Sequence, residues 1–131
     1  MEDYLQEFKN ELLYILQDIE NSSAWDDEVY EAIDRAREYI ESLTEEELRS
    51  VYLKILRRAR ECVSDYLQSV PEEKYKEPTE GQLVQARVIA RTYLTEIAVK
   101  ELINDEMPYT LFYLEADYEA LTEALDEIFG Y

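Results

Sequence analysis

The chain has no histidine, one cysteine, two glycines, three prolines and only 13 lysines and arginines in 131 residues. Each scarcity excludes something. Without histidine there is no Ser-His-Asp or Cys-His nucleophilic pair, and the commonest general base and transition-metal ligand is missing. A single cysteine closes no intramolecular disulfide and makes no zinc site, which needs thiolates or imidazoles in number. Gly81 and Gly130 sit in no calcium loop and no phosphate-cradling loop. So little glycine and proline leaves scant material for tight β-turns, which favours helices joined by short polar turns. No apolar run approaches the roughly 20 residues needed to span a bilayer. The opening Met-Glu-Asp-Tyr lacks the basic and apolar stretches of a secretory signal, and a lone thiol suits a reducing compartment. The expectation is a soluble, cytoplasmic protein.

What the chain does have is carboxylate: 32 Asp and Glu, for a net charge of −19 and a pI near 4.2. Phosphate affinity comes from Lys and Arg displacing condensed counterions, so direct nucleic-acid binding is disfavoured, as is an anionic membrane surface. Yet 47% of the residues are apolar, which separates the chain from a disordered acidic tail. The length fits one domain with a real core.

Five segments repeat apolar residues at steps of three and four, the spacing of a helix face. The first carries Leu5, Phe8, Leu12, Ile15 and Ile19, the second Val29, Ile33, Ala36, Ile40 and Leu43. The third carries Leu48, Tyr52, Ile55, Ala59, Cys62 and Tyr66. In the fourth, Leu83, Ala86, Ala90, Tyr93 and Ile97 are widened by Val88, Leu94 and Leu102. The fifth has Leu111, Leu114, Tyr118, Leu121, Leu125 and Ile128. Thr44 with Glu47, and Thr79 with Gln82, have capping-box spacing, and Asp26 can cap the second helix. Pro71 stops the third, and Asn104 and Pro108 punctuate the gap before the fifth. Helices are therefore expected at about 3–20, 27–42, 45–69, 80–103 and 109–129. Short connections make neighbours antiparallel, giving an all-α, single-domain antiparallel bundle of four to five helices over residues 1–131. No tetratricopeptide-like period is present.

Charge is spread unevenly. Residues 1–31 hold ten acids and one base, Lys9, and residues 105–131 hold eight acids and none. The bases concentrate in the third helix (Arg49, Lys54, Arg57, Arg58, Arg60) and fourth (Arg87, Arg91, Lys100). Two readings follow. Acidic outer helices and basic middle ones can pair across the bundle surface, or within a helix as Arg57 with Glu61, at about 0.2–1 kcal/mol per exposed pair. Alternatively the acidic terminal helices form a docking face, which the twelve tyrosines sharpen, since Tyr brings a rigid apolar body and a polar tip to interfaces. On the first helix Tyr4, Glu7, Glu11, Tyr14 and Asp18 share one face. Near the fifth, Tyr109, Phe112, Tyr113, Glu115 and Glu119 cluster outside or beside the seam. Such a surface suits a basic protein partner, with charge raising the on-rate and aromatics supplying burial.

No constellation of catalytic, metal-ligating or cofactor-holding residues emerges. The triplets Asp26-Asp27-Glu28 and Glu45-Glu46-Glu47 open helices, where the macrodipole favours acids. Cys62, on an apolar seam, reads as a small hydrophobe. The C-terminal string Thr122-Glu-Ala-Leu125-Asp-Glu-Ile128-Phe129 resembles the short peptides that dock on sliding clamps, where one helical turn places three apolar plugs in a pocket. Here Thr122 stands in place of the usual Gln and Ile128-Phe129 in place of the aromatic pair. That resemblance implies a replication-associated factor.

The sequence thus predicts a non-catalytic acidic bundle that binds a basic protein as adaptor, assembly subunit or regulator, with no cofactor and with self-association open. The alternative is an inhibitor of viral or phage type, whose carboxylates mimic nucleic-acid charge and block a nucleic-acid-binding protein.

Overall fold

Helix formation follows the apolar stripes and capping pairs closely. The computed structural model describes residues 1–107 and 110–131 and contains α1 (Asp3–Ser22), α2 (Asp27–Ser42), α3 (Glu45–Ser69), α4 (Glu80–Asp105) and α5 (Leu114–Phe129). It is an all-helical bundle, with no strand among the described residues. Both capping boxes form. The backbone N–H of Glu47 donates to Thr44 Oγ1 (3.2 Å), and that of Thr44 donates back to Glu47 Oε1 (3.1 Å). Gln82 and Thr79 repeat the exchange at 3.2 and 2.9 Å. Asp26 occupies the N-cap of α2, but its side chain caps nothing. The Trp25 backbone N–H donates instead to the Tyr30 hydroxyl (3.2 Å), and the Trp25 indole donates to the Ile19 carbonyl (2.8 Å). These bonds fix the turn from α1 into α2.

The centre of the bundle is α4, which packs against each of the other four helices. Ala86 and Ala90 are fully buried, and their small side chains let neighbouring backbones approach closely. Gln82 of α4 reaches the Ile128 carbonyl of α5, while Lys100 reaches Asp117, so these two helices are antiparallel. Tyr66 to Asp126 and Arg58 to Tyr118 link α3 and α5 in parallel. The C-terminal residue closes one end: the Tyr131 hydroxyl accepts from the Lys76 backbone N–H (3.2 Å) and donates to its carbonyl (3.3 Å). That clasp pins the Pro71–Pro78 connection. Gly130 terminates α5 at φ 74°, in the left-handed region that glycine enters without strain.

Three details of the sequence reading shift. The fifth helix begins at Leu114, not near 109: residues 110–113 are not helical, and the Leu111 N–H donates to Asn104 Oδ1 (2.8 Å), which ties Leu111 to the end of α4. In α1 and α3 the most buried stripes include Leu16 and Val63, next to the expected Ile15 and Cys62, which are half-buried. Val88, expected to widen the apolar face of α4, is 55% exposed, whereas Thr95, Val99 and Ile103 are buried. Thr95 sits in the core because its hydroxyl donates to the Arg91 carbonyl at 2.7 Å.

Candidate functional site

The carboxylates of α1 converge with α4 on a groove of about 300 Å³. One wall of the groove is Glu11, Tyr14, Ile15, Asp18 and Ile19, consecutive positions along a helix face. Thr92, Glu96 and Lys100, one turn apart on α4, make the other. Buried Ile19 and half-buried Ile15 provide an apolar floor, while Tyr14 stands at the rim, 70% exposed. At one end Phe112 and Asp117 close in. Lys100 Nζ lies 3.0 and 3.1 Å from the two carboxylate oxygens of Asp117 and 5.6 Å from the Phe112 ring centre. Phe112 in turn packs edge-on against Trp25, at 6.1 Å between centroids.

The cations of the groove are already engaged. Arg91 Nη1 donates to Glu11 Oε2 at 3.2 Å, and Lys100 holds Asp117. Asp18 and Glu96 have no ion-pair partner among the described residues. Glu96 registers the crowding: partial burial pushes its carboxyl above the usual carboxylate range. Lys100 counters that push, while Asp117, Asp18 and Glu11 add to it. The groove is therefore a place where negative charge exceeds what the fold neutralises.

The sequence-predicted residues divide. Glu11, Tyr14 and Asp18 line the groove, and exposed Glu7 lies one helical turn before Glu11. Phe112 reaches it through Lys100. Tyr4 turns towards α3, its ring 5.3 Å from that of Tyr52. Tyr113 (87% exposed), Glu115 and Glu119 are on the surface, and none lines the groove. Tyr109 lies outside the described residues. Ile15, Thr92, Glu96, Lys100 and Asp117 were missed. Only the i,i+4 pair Glu96–Lys100 left any trace in the sequence, since the rest requires knowing which helices are neighbours.

Elsewhere the charge reading is half realised. Arg91 to Glu11, Arg37 to Glu20 (2.5 Å), Arg35 to Glu106 (2.8 Å) and Lys100 to Asp117 join separate helices or helix ends. Arg57 makes no pair with Glu61, and Lys54, Arg57, Arg58 and Arg60 all stay exposed on α3. Leu125 and Phe129 of the clamp-like string are buried and Ile128 is half-buried, so these side chains fill this protein's own core. Cys62 is half-buried; desolvation pushes its thiol up, against a smaller pull from Arg58. Among the described residues no group of three or more His, Cys, Asp or Glu is placed to hold a metal ion, and no helix is long and apolar enough to cross a membrane.

No protein-family model, curated protein or solved structure matches the chain.

Proposed function

We propose that this protein acts by binding a basic protein partner through the α1–α4 groove, without catalysis, as an adaptor, assembly subunit or regulator. The observation that carries this reading is the groove itself: Asp18 and Glu96 share it without an ion pair among the described residues, while Arg91 is taken by Glu11 and Lys100 by Asp117. Neighbouring carboxylates without a partner repel one another, and their place beside an apolar floor and an exposed tyrosine fits a cation supplied from outside. A partner lysine or arginine meets that description. Its aliphatic stem covers Ile15 and Ile19, its charge reaches Asp18 and Glu96, and the Tyr14 ring offers a cation–π contact.

Charge mimicry of a nucleic acid calls on the same carboxylates. Lys54, Arg57 and Arg60 stay exposed on α3, so the surface is not uniformly negative, which favours a local docking groove. A pull-down of the tagged chain from nuclease-treated lysate, eluted by a salt step, tests both readings. A basic partner released by moderate salt and indifferent to added duplex DNA is the expected result. Release by duplex DNA instead makes the protein a mimic, and recovery of nothing salt-sensitive removes the acidic groove from the account.

A further inference from the structure

A second, chemically opposite pocket opens where α3, α4 and the first turns of α5 meet, with a volume of about 220 Å³. Its walls are Ile55, Leu94, Ile97 and Ala98, of which the first three are buried core residues. Its mouth is cationic: Lys54 and Arg58 face one carboxylate, Glu101. In a chain with 32 acids, neither Lys54 nor Arg58 makes an ion pair among the described residues. Arg58 is nonetheless held in place. Its guanidinium lies over the Tyr118 ring, 5.8 Å from the centroid, and donates to the Tyr118 hydroxyl.

That contact sets up a recognition site. The Tyr118 hydroxyl accepts from Arg58, which leaves its own proton free to donate, and the guanidinium keeps further N–H groups beyond the one it uses. Arginine and a tyrosine O–H side by side are a carboxylate's complement, giving charge-assisted bonds in a defined plane. The size of the whole pocket fits a small ligand: an engineered apolar cavity of about 150 Å³ accepts benzene. A pocket of about 220 Å³ therefore takes one ring or a short alkyl chain, well below a drug-sized ligand.

The geometry points to a binding site for a small amphipathic carboxylic acid, a short-chain fatty or aryl-alkyl acid, with its apolar end between α3 and α4 and its carboxylate on Arg58, Tyr118 and Lys54. This site is independent of the acidic groove, and its outcome leaves the docking reading untouched. The excess negative charge of the molecule opposes any anion at long range, so binding improves as salt screens that field, up to the point where it also screens the mouth.

Calorimetric titration of the full chain with octanoate and 3-phenylpropionate, against octanol as the neutral control, tests the assignment. The acids are expected to bind with Kd of about 1 mM or below and octanol about tenfold more weakly. Arg58→Met should bring octanoate down to the level of octanol. Lys54→Gln, which touches no other side chain's hydrogen bond, should weaken the acids severalfold and leave octanol unchanged. Ala98→Phe fills the pocket and should abolish binding of all three. Absence of heat at millimolar acid, equal affinity for octanol and octanoate, or undiminished binding by a folded Ala98→Phe variant each overturns the proposal.

Discussion

Single residues in this protein separate stability from the proposed recognition. Glu96 is the clearest. Its carboxyl is raised in the folded state, so the protonated form is favoured by folding. The stability it contributes is complete below the unfolded value of about 4.3 and is lost as pH rises through the raised one. Glu96→Gln removes that dependence. Thermal melts should find the variant as stable as the parent or slightly more so at pH 7, with the difference disappearing towards pH 4, while partner binding falls. Tyr66 behaves similarly at the other extreme. Burial and its hydrogen bond to Asp126 raise its hydroxyl well above the ordinary value of about 10, so its contribution fades as pH climbs above that value. Tyr66→Phe should cost about 1 kcal/mol at neutral pH, discounted for its partial exposure, and should flatten the alkaline fall in stability seen by denaturant titration. Glu11 differs from its neighbours on α1. Because it holds Arg91 in a partly buried pair, reversing its charge also lowers stability, whereas Asp18 carries no such bond.

At the scale of the helix, most of the fold was legible. Capping boxes at Thr44 and Thr79, and stripes such as Val29, Ile33, Ala36 and Ile40, located four helices and their starts because caps and periodicity are local properties. Thr44→Ala and Thr79→Ala should each cost about 1 kcal/mol, measurable as a lowered denaturation midpoint with unchanged slope. The errors arise where local pattern and tertiary packing part company. A periodic stripe picks one face, but α4 is surrounded, so Thr95, Val99 and Ile103 are buried off the expected line while Val88 points out. Leu111 continues the helical stripe from within a loop, because it packs on the core there while its backbone N–H is tied to Asn104 at the end of α4. The central position of α4 carries its own prediction. Ala90→Leu forces extra volume into a contact with no room and should destabilise by about 1–3 kcal/mol, read by the same titration, whereas Val88→Leu should be close to neutral.

Over the whole molecule, charge is organised in a way composition could only hint at. The acidity of α1 and the exposed bases of α3 were visible in the sequence, and so were Glu11, Tyr14 and Asp18 as one face. That Glu96 and Lys100 complete a groove with them, and that Arg58 meets Tyr118 across 60 positions, depends on helix pairing that no local pattern encodes. A net charge of −19 repels itself, so the melting temperature should rise when salt is raised from about 20 to about 300 mM, unlike that of a protein stabilised chiefly by surface ion pairs. The central claim, however, is that recognition is local. The decisive measurement compares partner affinity for two variants of identical net charge, Asp18→Lys/Glu96→Lys in the groove and Glu115→Lys/Glu119→Lys outside it on α5. The account predicts that the groove variant loses about tenfold or more in affinity and the α5 variant stays within about twofold of the parent. Equal losses in both, or none in either, would contradict it.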